Sequence, residues 1–506
     1  MQTSKNPAVE NLAAENQAME NIATESHAIE NGGAENHAAK NPAAKQPAAK
    51  HPILKGIGAA VIIVAMIALG IAAGTFALAP YGSKSEVIWS EFRQTDDIDT
   101  ICLGSSLAAH AYDPAAIDPI CGTASFNMST PLQETAESYL GLKEAMEHHN
   151  IKRVIYGVDY SAFIGEPNLY PARVFENEKW KGDPFTERFS DLAYMLDDTD
   201  WLFDERSINW LFPWTEQQAS GGGSGILRNM KMRVDGTTLI EAAEINEEDW
   251  HYYGRGYGNE DLVVDYNDSA EQDFAKVAQF SGRPFSEKKL QGLSDMVELC
   301  EANGVEFIAF APALPDFSLI SLDDYYENIS TQIREVVEAH GGAFYDFNVA
   351  NPTFYQAQED HFEDYQHYNA AGGSAFSAAF AKLLMAREQG ENVSGWFTTF
   401  DERLAGIDHI SAVRLFPQHH HGGKPGEKPK AHIVAVCFAG SNVNVEYRFL
   451  AKAANEDEFK LVRDWSSEAE FDFAPEHGGR YTMRVEVRQA GSDGNAERWA
   501  EDIVRV

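Results

Sequence analysis

The chain has 506 residues, 44% hydrophobic and 23% charged, which leaves room for more than one folded domain. Its 40 Lys and Arg face 78 Asp and Glu, a formal charge of −38; a surface that acidic repels phosphate backbones and excludes nucleic acid as the main partner. The 29 Phe, 19 Tyr and 9 Trp rule out disorder throughout, and the 4 cysteines (Cys102, Cys121, Cys300, Cys437) lack the CxxC spacing of a zinc knuckle or disulfide scaffold.

Residues 5–49 repeat every five positions, beginning KNPAV, ENLAA, ENQAM. A period of five builds no apolar stripe on a helix, and Ala offers little to bury, so residues 1–52 are expected to form a disordered tail. From Gly56 to Ala79 the chain carries no charge. As a helix that stretch is roughly 36 Å long, enough to cross a ~30 Å hydrocarbon core. Ala77-Leu78-Ala79 resembles a signal cleavage site, but the apolar run is too long for a signal core and Pro80 follows it. A retained transmembrane helix over 53–80 is expected. Lys40, Lys45, Lys50 and Lys55 precede it and only Lys84 closely follows. The positive-inside rule then leaves the N-terminus cytoplasmic and everything past about residue 82 extracytoplasmic, a single-pass cell-membrane protein. In that compartment Cys102 and Cys121 could pair, although two buried free thiols are the expected state.

After the anchor, short apolar runs alternate with helical segments: Ile98–Leu103, Ala124–Asn127, Arg153–Val158, Val305–Ala311 and Ala343–Asp346 read as strands. Thr130-Pro131-Leu132-Gln133 reads as a capping box that opens a helix. Such alternation predicts an α/β domain over 85–388, a parallel sheet with helices on both faces, whose chemistry collects at the C-terminal strand ends. An aromatic-rich insertion at about 165–285 interrupts it. Within that insertion Ser220–Gly225 reads as a flexible loop with no phosphate-binding frame. Asp265–Ser269 has a calcium-loop look, but Ala270 and Lys276 replace the Gly and Glu such a loop needs.

Two motifs carry chemistry. Leu103-Gly104-Ser105-Ser106 delivers a serine from a strand onto a tight turn, and Asp364-Tyr365-Gln366-His367 precedes a helix with Phe376, Phe380, Leu383 and Leu384 on its apolar face. A serine hydroxyl needs an imidazole to take its proton, and the imidazole needs a carboxylate to hold its tautomer. Either motif alone is commonplace; together, at the first strand and before the last helix, they predict a Ser106-His367-Asp364 triad. His361 is a competing base, ranked below His367 because only His367 is followed by the Asn-x-x-Gly helix start.

This pattern resembles the SGNH (GDSL-type) hydrolases over roughly residues 90–388, with the insertion unmatched. The Gly-Ser-Ser form, the anchor and the placement are most similar to a membrane-anchored subgroup that works with membrane-bound O-acyltransferases. That subgroup takes part in teichoic-acid D-alanylation and in acetylation of secreted polysaccharides. The resemblance implies Ser106 as nucleophile, His367 as general base, Asp364 as its orienting partner, and no cofactor or metal. It also implies an oxyanion hole drawing on the second and third family blocks, which fall here on Ser129 and Asp159. An ionised Asp159 accepts hydrogen bonds and cannot donate one to an oxyanion, which favours acyl transfer or a narrow esterase over efficient free hydrolysis.

After about Gly390 short β-runs at 410–416, 432–438, 443–451, 470–473 and 481–488 are separated by turn signals, predicting a β-sandwich over 395–506. Glu446-Tyr447-Arg448-Phe449, Trp465 and Gly479-Arg480-Tyr481-Thr482 resemble triple-tyrosine β-sandwich modules. His419-His420-His421 sits in a Gly/Pro/Lys loop and reads as a hairpin tip, not a metal site. The expected function is a serine esterase or O-acyltransferase acting on acyl groups of a cell-envelope polysaccharide or polymer, partnered by a membrane-bound O-acyltransferase. The rival is a catalytically inactive envelope glycan-binding or scaffold protein, in which exposed aromatics of 165–285 stack on sugars.

Overall fold

The computed structural model describes residues 52–78, 81–164, 179, 185–196, 222–266, 285–419, 430–492 and 494–506. The pentad repeat, most of the calcium-loop-like segment and residues 420–421 lie outside the described residues.

Helix α1 (Pro52–Leu78) contains Ile57–Leu78, the one stretch among the described residues long and apolar enough to cross a membrane. Its 22 residues give a helix of about 33 Å.

The catalytic candidates lie on a separate compact unit that begins at Gly70. Its centre is built from β1 (Thr100–Gly104), helix α2 (Ser106–Ala111), β2 (Ser125–Asn127), α3 (Thr135–His148) and β3 (Arg153–Gly157). A two-stranded hairpin of β4 (Trp250–Gly254) and β5 (Tyr257–Glu260) follows. Then come α4 (Glu287–Asn303), β6 (Glu306–Ala311), α5 (Asp323–Ala339), β7 (Ala343–Asp346) and α6 (Ala370–Glu388). The five-stranded sheet runs β2-β1-β3-β6-β7 with every neighbour parallel.

Side chains alternate across this sheet and both faces are buried, which is why its strands read as continuous apolar runs. Ile101, Leu103, Val154, Tyr156, Phe307 and Ala309 join one core with residues of α3, α4 and α5. Cys102, Ile155, Ile308 and Phe310 join another with residues of α2 and α6. At the C-terminal edge Gly104 pairs with Gly157. A Cβ on Gly157 would come within 2.3 Å of Ala108 Cβ, and one on Gly104 within 2.5 Å of the Gly157 carbonyl oxygen. Glycine at both positions lets α2 seat directly over the strand ends, and Gly104 also takes a φ of 145°.

Three local expectations are corrected. The Thr130-Gln133 bonds form, with Thr130 N–H donating to Gln133 Oε1 at 3.0 Å, but they close a turn in which Leu132 has a φ of 59°. Helix α3 starts later, capped reciprocally by Glu134 and Glu137. Gly222–Asp235 is helical, so most of the expected glycine loop forms a helix start. Among the aromatics of 165–285, whose exposure the glycan-binding reading expected, Trp250 is 2% exposed because its indole packs over Gly258.

Toward the C-terminus a three-stranded antiparallel sheet, β12-β9-β8, faces a four-stranded one, β11-β10-β13-β14. In chain order these are β8 (Ile410–His419), β9 (Ala431–Ala439), β10 (Val445–Ala453), β11 (Lys460–Ser466), β12 (Glu470–Phe473), β13 (Arg480–Gln489) and β14 (Arg498–Arg505). Val413, Leu415, Ile433, Phe449, Met483, Val485 and Val487 fill the space between them, the arrangement of a β-sandwich. Arg498, itself bonded to the Ser411 carbonyl of β8, ties it to the α/β part through Glu359.

Candidate active site

Ser106 is the first residue of α2, immediately after the turn at Gly104-Ser105. Ser105 fixes that start from both sides: its Oγ accepts from the Leu107 N–H at 3.3 Å and donates to Asp159 Oδ2 at 2.9 Å. A short polar residue at the N-cap supplies the acceptor that the first helical N–H groups lack.

His367 arrives on a loop closed by the Phe362–Tyr368 bridge and by the Glu363 N–H donating to the His367 carbonyl at 3.1 Å. Asp364 organises this loop with one oxygen and serves the imidazole with the other. Its Oδ1 accepts from the Gln366 and His367 N–H groups at 2.8 and 2.7 Å, while Oδ2 lies 2.7 Å from His367 Nδ1. His367 Nε2 lies 2.7 Å from Ser106 Oγ. With Nδ1–H assigned toward the carboxylate, Nε2 is the acceptor that faces the hydroxyl. Asn369 then caps α6 by accepting from the Gly372 N–H at 2.9 Å.

The His367 side chain is 16% exposed. Burial works to lower its pKa, but the hydrogen bond and charge of Asp364, then the charges of Glu363 and Asp159, outweigh it and hold the pKa above the ordinary histidine value. Burial likewise opposes ionisation of Asp364, yet the bonds from His367 and Gln366 keep its carboxyl below the usual range. The result is an imidazole able to take a proton beside a carboxylate that stays charged.

Ser129 and Asp159, the two expected oxyanion donors, are both engaged. The Ser129 N–H donates to Asn127 Oδ1 at 3.0 Å, and the residue is fully buried. Asp159 accepts from Ser105 Oγ at 2.9 Å, from the Ser161 N–H at 2.9 Å and from Ser161 Oγ at 2.6 Å. Asp159 thus braces the turn that carries Ser106. His361 does not reach the serine: its Nδ1 accepts from the Gln358 N–H at 3.3 Å.

Two residues escaped the sequence reading. His110 stands four positions after Ser106, one helical turn along, and its ring packs 5.0 Å from that of His367. Its Nδ1 lies 3.1 Å from the Tyr368 carbonyl oxygen, to which it donates, and 3.4 Å from Glu363 Oε1. Burial, with the charges of His367 and Lys84, holds His110 down to about 3, so it stays neutral. Glu363 Oε2 is buried without a hydrogen-bond partner. Burial and the charge of Glu260, opposed by His367 and Lys84, push this carboxyl up to about 8. Ser–x–x–x–His on one helix was a readable signal for His110; Glu363 had none beyond adjacency to Asp364.

Among the described residues, Glu363, Asp364 and His367 form a group close enough to hold a metal ion. Both His367 nitrogens already face other groups, so an ion there would compete with the serine. Cys102 and Cys121 are free thiols; Cys102 is buried beside Ser129 and Cys121 faces the Ala381 carbonyl.

No protein-family model matches the chain, and no curated protein matches it. Among solved structures, one described as "a putative platelet activating factor from Streptococcus pneumonia" aligns at 9% identity. The alignment covers 64% of this chain and 99% of that one, with a TM-score of 0.28. An engineered protein aligns at 12% identity over 85% of this chain and 98% of its own, with a TM-score of 0.14. Neither score establishes a shared fold.

Proposed function

We propose that this chain is a membrane-anchored SGNH-type serine esterase or O-acyltransferase acting on acyl groups of an extracytoplasmic cell-envelope polymer. The observation that carries the reading is the continuous relay Ser106 Oγ, His367 Nε2, His367 Nδ1, Asp364 Oδ2, with both contacts at 2.7 Å. Ser106 Oγ attacks the acyl carbonyl and its proton passes to His367 Nε2. The ester C–O bond breaks as that proton moves to the departing alkoxide, leaving an acyl-enzyme. Water or an acceptor hydroxyl then gives its proton to His367 and takes the acyl group, restoring the serine. Asp364 stays ionised and holds the tautomer throughout.

With Ser129 and Asp159 engaged, the oxyanion falls to backbone donors. The Ser106 N–H, at the first position of α2, has no intrahelical acceptor and is the foremost candidate. The apolar helix Ile57–Leu78 supports membrane anchoring. The lysines at 40, 45, 50 and 55 favour a cytoplasmic N-terminus and an extracytoplasmic catalytic part. A membrane-bound O-acyltransferase would supply or receive the acyl group.

The engagement of both expected oxyanion donors favours a second reading, an inactive envelope-binding protein. One experiment separates the two: incubate the full-length protein with p-nitrophenyl acetate and search for an acetylated Ser106 peptide by mass spectrometry. Acetyl on Ser106, lost in His367→Ala, is the expected result. A folded protein that never acylates would support the binding reading.

A further inference from the structure

At the C-terminal ends of β3 and β6, bordered by Leu107, the residue after Ser106, and by Gln366, the residue before His367, lies a pocket whose apolar wall is made by Leu107, Val158, Pro312, Leu314 and Leu322. Its position follows from the fold: Leu107 follows the serine, Val158 continues β3, and Pro312 and Leu314 continue β6. Polar residues also border it, but their hydrogen-bonding groups are turned on one another. Asn348 accepts from the Leu314 N–H at 2.8 Å and donates to the Pro312 carbonyl at 3.2 Å. Ser318 Oγ donates to the Tyr365 carbonyl at 2.6 Å, and Tyr160 donates to Asp346 at 2.8 Å, away from the pocket. Ser161 is spent on Asp159, whose other oxygen holds Ser105. Gln366 stands at the mouth, its Nε2 3.4 Å from His367 Nε2.

Behind the Gln366 amide, which keeps a donor to spare at the mouth, a pocket with such a wall offers mainly apolar contact to a ligand. A sugar placed there would lose water bonds without replacing them, whereas an alkyl chain would gain by leaving water. We propose that this pocket is the acyl subsite, that it selects unsubstituted aliphatic acyl groups, and that Leu314 and Leu322 set the chain length accepted. The glycan or other alcohol portion of the ester then lies outside this pocket. This deepens the proposed function and rests on Ser106 being the nucleophile.

The test uses full-length protein in lipid nanodiscs with p-nitrophenyl acetate, propionate, butyrate and alaninate, beside Ser106→Ala, Leu314→Trp and Leu322→Trp. Each added methylene is expected to raise kcat/KM about fourfold until the pocket is filled. Leu314→Trp or Leu322→Trp should collapse the butyrate-to-acetate ratio to about one, a change that general misfolding, which lowers both rates together, does not produce. Ser106-dependent turnover that ignores chain length, or whose ratio both Trp variants leave intact, would overturn the subsite while leaving the nucleophile standing. Faster turnover of the alaninate than of the propionate would also overturn it, making the Asp159 carboxylate an ammonium receptor instead. Absence of any Ser106-dependent turnover would remove the proposed function and this inference together.

Discussion

The imidazole of His110 packs against that of His367, with ring centroids 5.0 Å apart and planes tilted by 41°. The two are pushed apart: burial holds His110 down to about 3, while the Asp364 bond and charge overcome burial at His367 and raise it. A general base must be unprotonated to act. The acid limb of kcat/KM is therefore expected with its midpoint above about 6.5, the ordinary histidine value. Replacing Asp364 with Asn removes the raising influence, so the limb should move to lower pH while kcat falls by roughly 10⁴ through loss of the correct tautomer. A pH–rate profile in which Asp364→Asn leaves the limb in place would contradict this assignment.

Glu363 gives a stability test that is independent of turnover. Its folded-state pKa is raised from 4.5 to about 8, so the folded chain holds a proton that the unfolded chain releases between those values. Stability must then fall as pH rises from about 4.5 to about 8, the folded state binding more protons in that window. Glu363→Gln mimics the protonated carboxyl and has no such dependence. Its melting temperature relative to the parent is expected to climb from pH 5 to pH 8 and level off beyond. A constant difference across that range would mean that the carboxyl is already ionised in the fold.

Asp159 is expected to matter for architecture before chemistry. Its carboxylate holds the Ser105 hydroxyl, the Ser161 hydroxyl and the Ser161 N–H, and so fixes the turn that presents Ser106. Asp159→Ala leaves the buried Ser105 hydroxyl and the half-buried Ser161 donors without this acceptor and should cost about 1–3 kcal/mol in chemical denaturation, with reduced turnover. Asp159→Asn keeps an oxygen for the Ser161 N–H and presents an amide to Ser105, so it should retain most of the stability. Equal losses in the two variants would show that charge, not hydrogen bonding, is what the turn needs.

The apolar helix predicts partition. Full-length protein should remain with membranes through high salt and carbonate washing and come free only with detergent, whereas residues 82–506 should stay soluble without it. A fragment that still demands detergent would mean that another apolar surface, not Ile57–Leu78, holds the protein to the membrane.

The parallel sheet was legible because both of its faces are buried, which leaves runs such as Thr100–Gly104 and Glu306–Ala311 almost free of charge. The juxtaposition of Ser106, His367 and Asp364 was legible for a chemical reason: a serine on a Gly turn and Asp-x-x-His each advertise themselves in sequence. What failed was local. Thr130-Gln133 carries the residue types of a capping box and makes its bonds, yet Leu132 leaves the helical region and α3 waits for Glu134. Strands β11 and β14 were missed because they are the two edge strands of the four-stranded sheet. Their runs, Lys460–Ser466 and Arg498–Arg505, carry Lys, Arg, Asp and Glu among the apolar residues. His110 left one local trace, its place one helical turn after Ser106, but its contacts with Tyr368, Glu363 and His367, like the role of Glu363, arise across the fold.

The central claim is that Ser106 is an activated nucleophile. The most direct measurement is labelling of the folded full-length protein with a small fluorophosphonate, beside Ser106→Ala and His367→Ala, with adduct mapping by peptide mass spectrometry. A stoichiometric adduct is expected on Ser106 in the parent protein, none in Ser106→Ala, and labelling slowed by more than about a thousandfold in His367→Ala. Equal labelling of the parent and Ser106→Ala, or an unlabelled parent whose fold is intact, would contradict it.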